Sequence, residues 1–419
     1  MAGTAASLPS AQRIPELDMV RGFALLGILV MNMPGFSTSF FAEADGSHLW
    51  QGRVDQVAEA ARDMLFSGKF NSMFSLLFGI GFTVQFARMQ ALAPDRALGL
   101  YLRRLAVLAA IGLVHAAVFW TGDVLHLYAG LGIVLVLGLR HASDRTLVVL
   151  VVLCLLYPAI AGVLRLVLMT PDVTARLVMQ AKAFEASNNL AYGHGSFLDA
   201  AHEHAREFAF FYGDPWARFN FASFWVQMAL TMLLGVLAGR RHWPQRIPEL
   251  LPTIRRLHPW LLAIGLACGL AFTVIWELQR APGPTPLKLL ASVCYWASRL
   301  ALMLFYVFAI VRLAQHPAWA RRFGPIAAAG RMPLTNYLLQ TAICTTLFYG
   351  WGFGLWGKVG PAAGLVLALA IFLVVQVPLS VWWLHRHEQG PLEWAWSRLT
   401  YGSAGARGLA PAAGSGSRG

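Results

Sequence analysis

A chain of 419 residues that is 57% hydrophobic and 13% charged, with a mean hydropathy of +0.57, has the composition of a polytopic helical membrane protein and not of a soluble globule. The +13 formal charge does not point to nucleic acid, because Lys and Arg cluster in loops between apolar runs and no basic stripe interleaves with aromatics. Cys154, Cys268, Cys294 and Cys344 each sit inside an apolar segment, without a partner at metal or redox spacing, and read as small core hydrophobes. No metal is expected.

The first apolar run, 17–36, reads LDMVRGFALLGILVMNMPGF and is long enough for one transmembrane helix. No clear small-x-small cleavage site follows it, so it is expected to be a retained anchor. At about 100° per residue, Asp18, Arg21 and Asn32 fall within roughly 60° of one another, and Asn32 stands about 21 Å along the axis from Asp18. Such a stripe does not face lipid, where unpaired polar groups cost several kcal/mol. Asp18 and Arg21 read equally well as an i,i+3 pair at the headgroups.

A polar connection, 37–68, leads to a second span at 70–87 and a basic turn at 88–104. The third span, 102–120, and the fourth, 124–139, are joined only by Thr121, Gly122 and Asp123; the fifth is 147–169. The amphiphilic segment 170–218 is too polar to span and too aromatic to be a free linker, so it is expected to lie on the surface or cap the bundle. Spans six to ten follow at 219–238, 260–276, 289–311, 333–353 and 362–384, and the Gly/Ala/Ser-rich end 403–419 reads as disordered. The pattern predicts an all-α, multi-pass bundle of about ten transmembrane helices. It divides into an N-terminal segment 1–16, a first bundle 17–169, the loop 170–218 and a second bundle 219–402.

Lys and Arg fall mainly in alternate connections, which places both termini in the cytoplasm of a bacterial inner membrane and the 170–218 loop outside. In that topology His115, Asp123 and His126 gather at the outer end of a tight hairpin, with Asn32 at similar depth and His48 in the outer loop. A carboxylate beside an imidazole fixes its tautomer and raises its basicity, as a general base requires. A hydrogen-bonded tie between two hairpin helices uses the same residues. Arg299 lies ten residues into the eighth span, near the midplane, where a charge costs about 2.5–3.5 kcal/mol on the lower scales. It calls for a counter-charge or for an anionic substrate group. Asn336 and Gln340 share a face of span nine and face protein or water. The 391–396 region reads as an interfacial helix with indoles at headgroup level. His202, Glu203 and His204 point to different helix faces and read as solvent-exposed.

LDMVRGFALLGILVMN, FSLLFGIGF and GLVHAAVFWTGDVLHLYA resemble the YeiB-like bacterial membrane proteins, and GRMPLTNYLLQTAICTTLFYGWGFGL and QGPLEWAWSRLTYG resemble the two signatures of their C-terminal domain of unknown function 418. His115, Gly122, Asp123, Arg331, Thr335, Asn336 and Tyr337 match that family's pattern. More distantly, the opening with its Asp18, Arg21, Gly22 and closing Asn32 resembles the transmembrane acyltransferases, including the heparan glucosaminide acetyltransferase family. Those proteins pass an acyl group from cytosolic acyl-CoA to an acceptor on the far side, using a His in the loop after the first helix. That resemblance implies a catalytic role for His48, in HLWQG.

The leading expectation is therefore an acyl-CoA-dependent acyltransferase acting across the membrane. His115 with Asp123 is the preferred base, Asn32 the oxyanion donor, and Arg299, Arg103, Arg104 and Arg331 the phosphate contacts. Asp18, Arg21, His126, Asn336 and Gln340 would wall a polar cavity between spans one, three, four, eight and nine. The competing expectations are a transporter or channel for a small anionic metabolite or lipid, with Arg299 as its counter-charge, and a non-catalytic membrane interaction protein. The partners expected are the lipid bilayer, an extracytoplasmic acceptor and a second copy of the chain, with no nucleic acid.

Overall fold

The computed structural model describes residues 14–409, so the beginning of the N-terminal segment and the end of the Gly/Ala/Ser-rich tail lie outside the described residues. Among the described residues there is helix and no strand. The order is α1 (Pro15–Ser37), α2 (Arg53–Leu65), α3 (Lys69–Leu92), α4 (Ala97–Val114), α5 (Leu125–Val134), α6 (Asp144–Leu168), α7 (Pro171–His194) and α8 (Phe197–Gly213). It continues with α9 (Pro215–Arg240), α10 (Ile247–Leu278), α11 (Pro286–Ala314), α12 (Pro317–Gly330), α13 (Pro333–Phe348), α14 (Pro361–Ala370), α15 (Val377–Leu384) and α16 (Pro391–Leu409). Eight segments among the described residues are long and apolar enough to cross a membrane: α1, α2 with α3, α4, α6, α9, α10, α11, and α14 with α15. The fourth and ninth apolar runs make shorter helices, Leu125–Leu139 and Pro333–Phe348. The protein is an all-α, multi-pass membrane bundle.

Local sequence explains the punctuation. Proline opens α1, α7, α9, α11, α13 and α14, where its missing N–H is not needed. Side chains of Ser143, Thr170, Ser196, Asp214 and Thr285 accept from the first-turn amides of the helices they precede, each worth about 1 kcal/mol. α4 and α5 both finish in a wide π-type turn, His115–Phe119 and Leu135–Leu139, and a third, Ile371–Gln376, joins α14 to α15. The helix α16 runs across a kink at Gly402, where φ is 73°.

Packing in the bundle interior depends on small residues, since lipid offers no hydrophobic drive between helices. α3 and α9 cross with backbones in contact: a Cβ at Gly235 would stand 2.1 Å from the Leu76 carbonyl oxygen, and one at Gly79 2.1 Å from that of Met232. α1 and α12 meet in the same way at Gly22 and Gly330.

The 170–218 segment forms two helices, α7 and α8, that cover one end of the bundle. The Gly350 amide donates to the Tyr192 carbonyl at 2.7 Å, and the Trp356 indole to Asn189 Oδ1 at 2.8 Å. Beneath this cap Phe36 stacks on Trp120 at 4.2 Å, and the Trp120 indole donates to the Gly35 carbonyl. This capped end is the one the charge pattern assigns to the outside.

The 37–68 connection is more than a polar loop. Its α2 turns back into the bundle: the Leu65 carbonyl accepts from the Tyr306 hydroxyl, two-thirds of the way along α11, and Phe70 packs on Gly27 at the middle of α1. Gly68, at φ 74°, makes the left-handed break before α3. Thus α2 and α3 form one membrane-crossing element interrupted at mid-depth.

Candidate active site

The tight hairpin brings His115, Asp123 and His126 together, as its three-residue turn requires. Asp123 Oδ2 bonds His115 Nδ1 at 2.7 Å and Oδ1 bonds His126 Nδ1 at 2.8 Å. The other nitrogens are also engaged: His115 Nε2 with Thr341 Oγ1 at 2.9 Å, His126 Nε2 with the Tyr212 hydroxyl at 2.6 Å. Gly112 permits this closeness, because a Cβ there would stand 2.3 Å from the His126 amide nitrogen. Burial pushes the Asp123 carboxyl up, but the hydrogen bonds from both imidazoles outweigh it and hold the group below the usual carboxylate range. All three side chains are buried and every ring nitrogen has a partner. The cluster ties α4, α5, α8 and α13 together; neither imidazole offers a lone pair to a substrate.

A different group faces open space. A cavity of about 270 Å³ lies at the capped end, walled by the last turns of α1, the loop after it, α2 and the start of α14. Its polar lining includes Glu43, Glu59, Arg62 and Asp63, with Trp50 beside them. The cavity therefore stands between spans one and ten and the re-entrant α2, not among spans one, three, four, eight and nine. His48 is next to it in sequence and in space. Its Nε2 bonds Glu277 Oε1 at 2.8 Å, while Nδ1 is buried without a hydrogen-bond partner. A ligand atom of His48 lies within 4.8 Å of one from each of Glu43 and Glu59. Both carboxylates are already engaged by cations: Arg280 donates to Glu43 at 3.0 Å and Arg62 to Glu59 at 3.2 Å. A carboxylate at Nε2 can hold the His48 proton there and leave the lone pair on Nδ1. That is the state a general base needs.

The remaining sequence candidates separate into ties and outliers. Arg21 pairs with Asp18 at 2.6 Å, so the i,i+3 reading describes them. Asn32 is half-buried and makes no hydrogen bond among the described residues. Asn336 donates to Ser380 Oγ and the Ala329 carbonyl, and Gln340 to the Leu25 carbonyl and Gln376 Oε1. Gln376 closes that ladder by donating back to Asn336. These are interhelical hydrogen bonds between buried side chains. At the end away from the cap, Arg104 stacks on Trp396 at 3.6 Å, Arg331 donates to the Glu388 carbonyl, and Arg103 is exposed. Arg299, half-way along α11, is not part of that group. It is 3% exposed, with Nε on Ser72 Oγ and both terminal nitrogens unpaired.

Two sets escaped the sequence reading. His202 is exposed as expected, but Glu203, His204 and Glu207 are buried under the cap, a correction to the solvent-exposed assignment. Ser187 donates to Glu203, and His204 Nδ1 meets the Tyr192 and Thr121 hydroxyls at 2.9 and 3.0 Å. The physical reason is that α8 packs between α7 and the bundle, where α7, the α4–α5 turn and the segment after α13 supply the partners. The i,i+4 spacing of Glu203 and Glu207 beside a run of aromatics carried that signal. Lys69 is the other omission. It lies at the head of α3, 1% exposed, at a place where a lone Lys reads as a helix end reaching for the headgroups.

The family model described as "Protein of unknown function (DUF418)" matches residues 238–403. The chain is 32% identical over 426 residues to the "Uncharacterized protein YeiB" of Escherichia coli, covering 94% of this chain and 98% of that one. It is 31% identical over 402 residues to the "Uncharacterized protein YxaH" of Bacillus subtilis, covering 93% and 94%. An uncharacterized 39.9 kDa protein of Bacillus acidopullulyticus is 28% identical over 396 residues.

Proposed function

The chain belongs to the YeiB-like family, and from that premise we propose that it is a membrane acyltransferase, moving an acyl group from cytosolic acyl-CoA to an acceptor on the extracytoplasmic side. The observation that carries this reading is the His48 imidazole, bonded by Glu277 and holding a buried, unpartnered Nδ1, one residue before Leu49 and two before Trp50 of the outer cavity's lining. His115, the base preferred from the sequence, has no such lone pair.

In this reading His48 Nδ1 takes the proton of an acceptor hydroxyl or amine held in the cavity. The acceptor oxygen or nitrogen bonds the thioester carbonyl carbon, the carbon–sulfur bond breaks, and the proton passes to the departing CoA thiolate. Glu277 stabilises the imidazolium that forms in between. Asn32, the polar residue of α1 without a partner, supplies a hydrogen bond to the developing oxyanion. Arg103, Arg104 and Arg331, at the end away from the cap, contact the CoA phosphates.

The test is a label-transfer assay in proteoliposomes with acetyl-CoA and longer acyl-CoAs. Calorimetric titration of the same acyl-CoAs into detergent-purified protein accompanies it. Saturable binding together with transfer lost in His48→Ala supports the reading; absence of binding to every acyl-CoA overturns it. A second reading has an observation of its own. An element broken at mid-membrane, as α2–α3 is, builds substrate sites in secondary transporters. Transport of an anionic metabolite or lipid past Arg299 accounts for that break, and vesicle flux assays test it.

A further inference from the structure

We propose that the α2–α3 break is a binding site for a phosphate group, held between Lys69 and Arg299. This goes beyond the transfer reaction, which makes no use of Lys69, and it does not depend on whether the chain transfers or transports.

The case starts from charge. Lys69 and Arg299 are two buried cations on facing elements, and neither is in a salt bridge among the described residues. The Lys69 ammonium donates to the Asp63 backbone carbonyl at 3.1 Å and stands over the Tyr295 ring at 5.5 Å. The nearest acid, Asp63, is half in water and is taken by Arg62 at 2.8 Å. Arg299 is anchored through Nε alone, which leaves its two terminal nitrogens, the fork that grips an oxyanion in two parallel bonds, without partners. A buried charge removing itself from water without compensation is among the costlier arrangements in a protein, and two side by side repel. A bound anion removes both penalties.

Geometry points the same way. Gly68 sits against both groups: a Cβ there would stand 2.6 Å from the Tyr295 hydroxyl and 3.0 Å from Arg299 Nε. Gly68 thus lets the head of α3 pack directly against the arginine, with the partial positive charge of a 24-residue helix at that end. The Gly68 amide donates only to the Met31 sulfur, a weak acceptor readily exchanged for a phosphate oxygen. Hydroxyls of Ser67 and Tyr295, 3.2 Å apart, complete the surroundings. Two basic side chains and a helix terminus match a phosphate group, which offers more charge and more acceptor oxygens than a carboxylate. Asp63, whose carbonyl Lys69 grips, lines the outer cavity.

The experiment is thermal unfolding of the full-length protein in detergent at constant ionic strength. Chloride is exchanged for inorganic phosphate, for coenzyme A, or for dihexanoyl phosphatidic acid. We expect the melting temperature to rise saturably with at least one of them. The most effective probe identifies the source as free phosphate, nucleotide-linked donor or lipid headgroup. Lys69→Met and Arg299→Gln should each lower the apparent affinity at least tenfold, Arg299→Lys less, and His48→Ala not at all. No shift with any probe in the wild-type protein overturns the site, and so does an unchanged affinity in whichever of the Lys69 and Arg299 variants folds. Failure of acyl transfer with the phosphate response intact would remove the transferase reading alone.

Discussion

Two of the polar clusters in this bundle differ in what they leave unsatisfied. Around Asp123 both carboxylate oxygens and all four imidazole nitrogens have partners drawn from four helices. Around the cavity and the α2–α3 break, His48 Nδ1 and two Arg299 nitrogens have none. Buried polar groups are satisfied wherever they serve the fold, because each orphan costs about 1–3 kcal/mol. Asn71 Oδ1, the Tyr157 hydroxyl, Asn188 Oδ1 and His258 Nε2 are likewise without partners, and a ligand is proposed only at the second cluster. Type of residue did not distinguish the clusters; a His beside a carboxylate occurs in both.

The comparison breaks most readily at Asp123. Asp123→Ala strips two buried imidazoles of their shared acceptor and should destabilise the protein by about 3–5 kcal/mol, read as a large fall in melting temperature or loss of folded protein. If the variant melts like the wild type, the cluster is not a structural tie. Next in size is the packing that frames both regions. Gly235→Leu forces a side chain into the Leu76 carbonyl, at a cost of about 1–3 kcal/mol or more, measurable by the same melt.

Among the described residues eight segments are long and apolar enough to cross, where ten were expected, and these were legible because a bilayer imposes length and continuity on whatever crosses it. The His115–Asp123–His126 contact was legible because three residues cannot separate two helices. What misled was the assumption that charge means water. Re-entrant α2 carries Asp55, Glu59, Arg62 and Asp63, and such a stretch reads as a loop until a cavity lined by protein is there to receive it. Glu203 and His204 were misread for the same reason: besides Arg206 and Glu207 on their own helix, their partners come from α7, the α4–α5 turn and the loop after α13. Arg299 stood out alone, since a charge in the middle of an apolar run has no ordinary excuse, while Lys69 at a helix start has one.

A smaller effect separates the cap from the bundle by pH. Burial, against the pull of Glu207, holds the His204 imidazole below its ordinary pKa, so the folded state favours the neutral ring. The stability this contributes is present above the unfolded value near 6.5 and is lost as pH falls below it. The slope is at most about 1.4 kcal/mol per pH unit for one group. Melting temperature should fall between pH 7 and pH 5, and His204→Asn, which keeps an acceptor for Thr121 and Tyr192, should flatten that fall. An identical slope in the variant would place the titration elsewhere.

Smallest in stability is the change expected at His48. With one ring nitrogen unpartnered and the other on half-exposed Glu277, His48→Gln should leave the melting temperature nearly unchanged. Its effect on rate is the most direct measurement of the central claim. Acyl transfer from acyl-CoA in proteoliposomes should drop about 10²–10⁴-fold in His48→Gln at equal amounts of folded protein, whereas any folded His115 variant should keep transferring. Full activity in His48→Gln, or a stable His115 variant that has lost transfer, would contradict the division between a saturated tie and an unsaturated site.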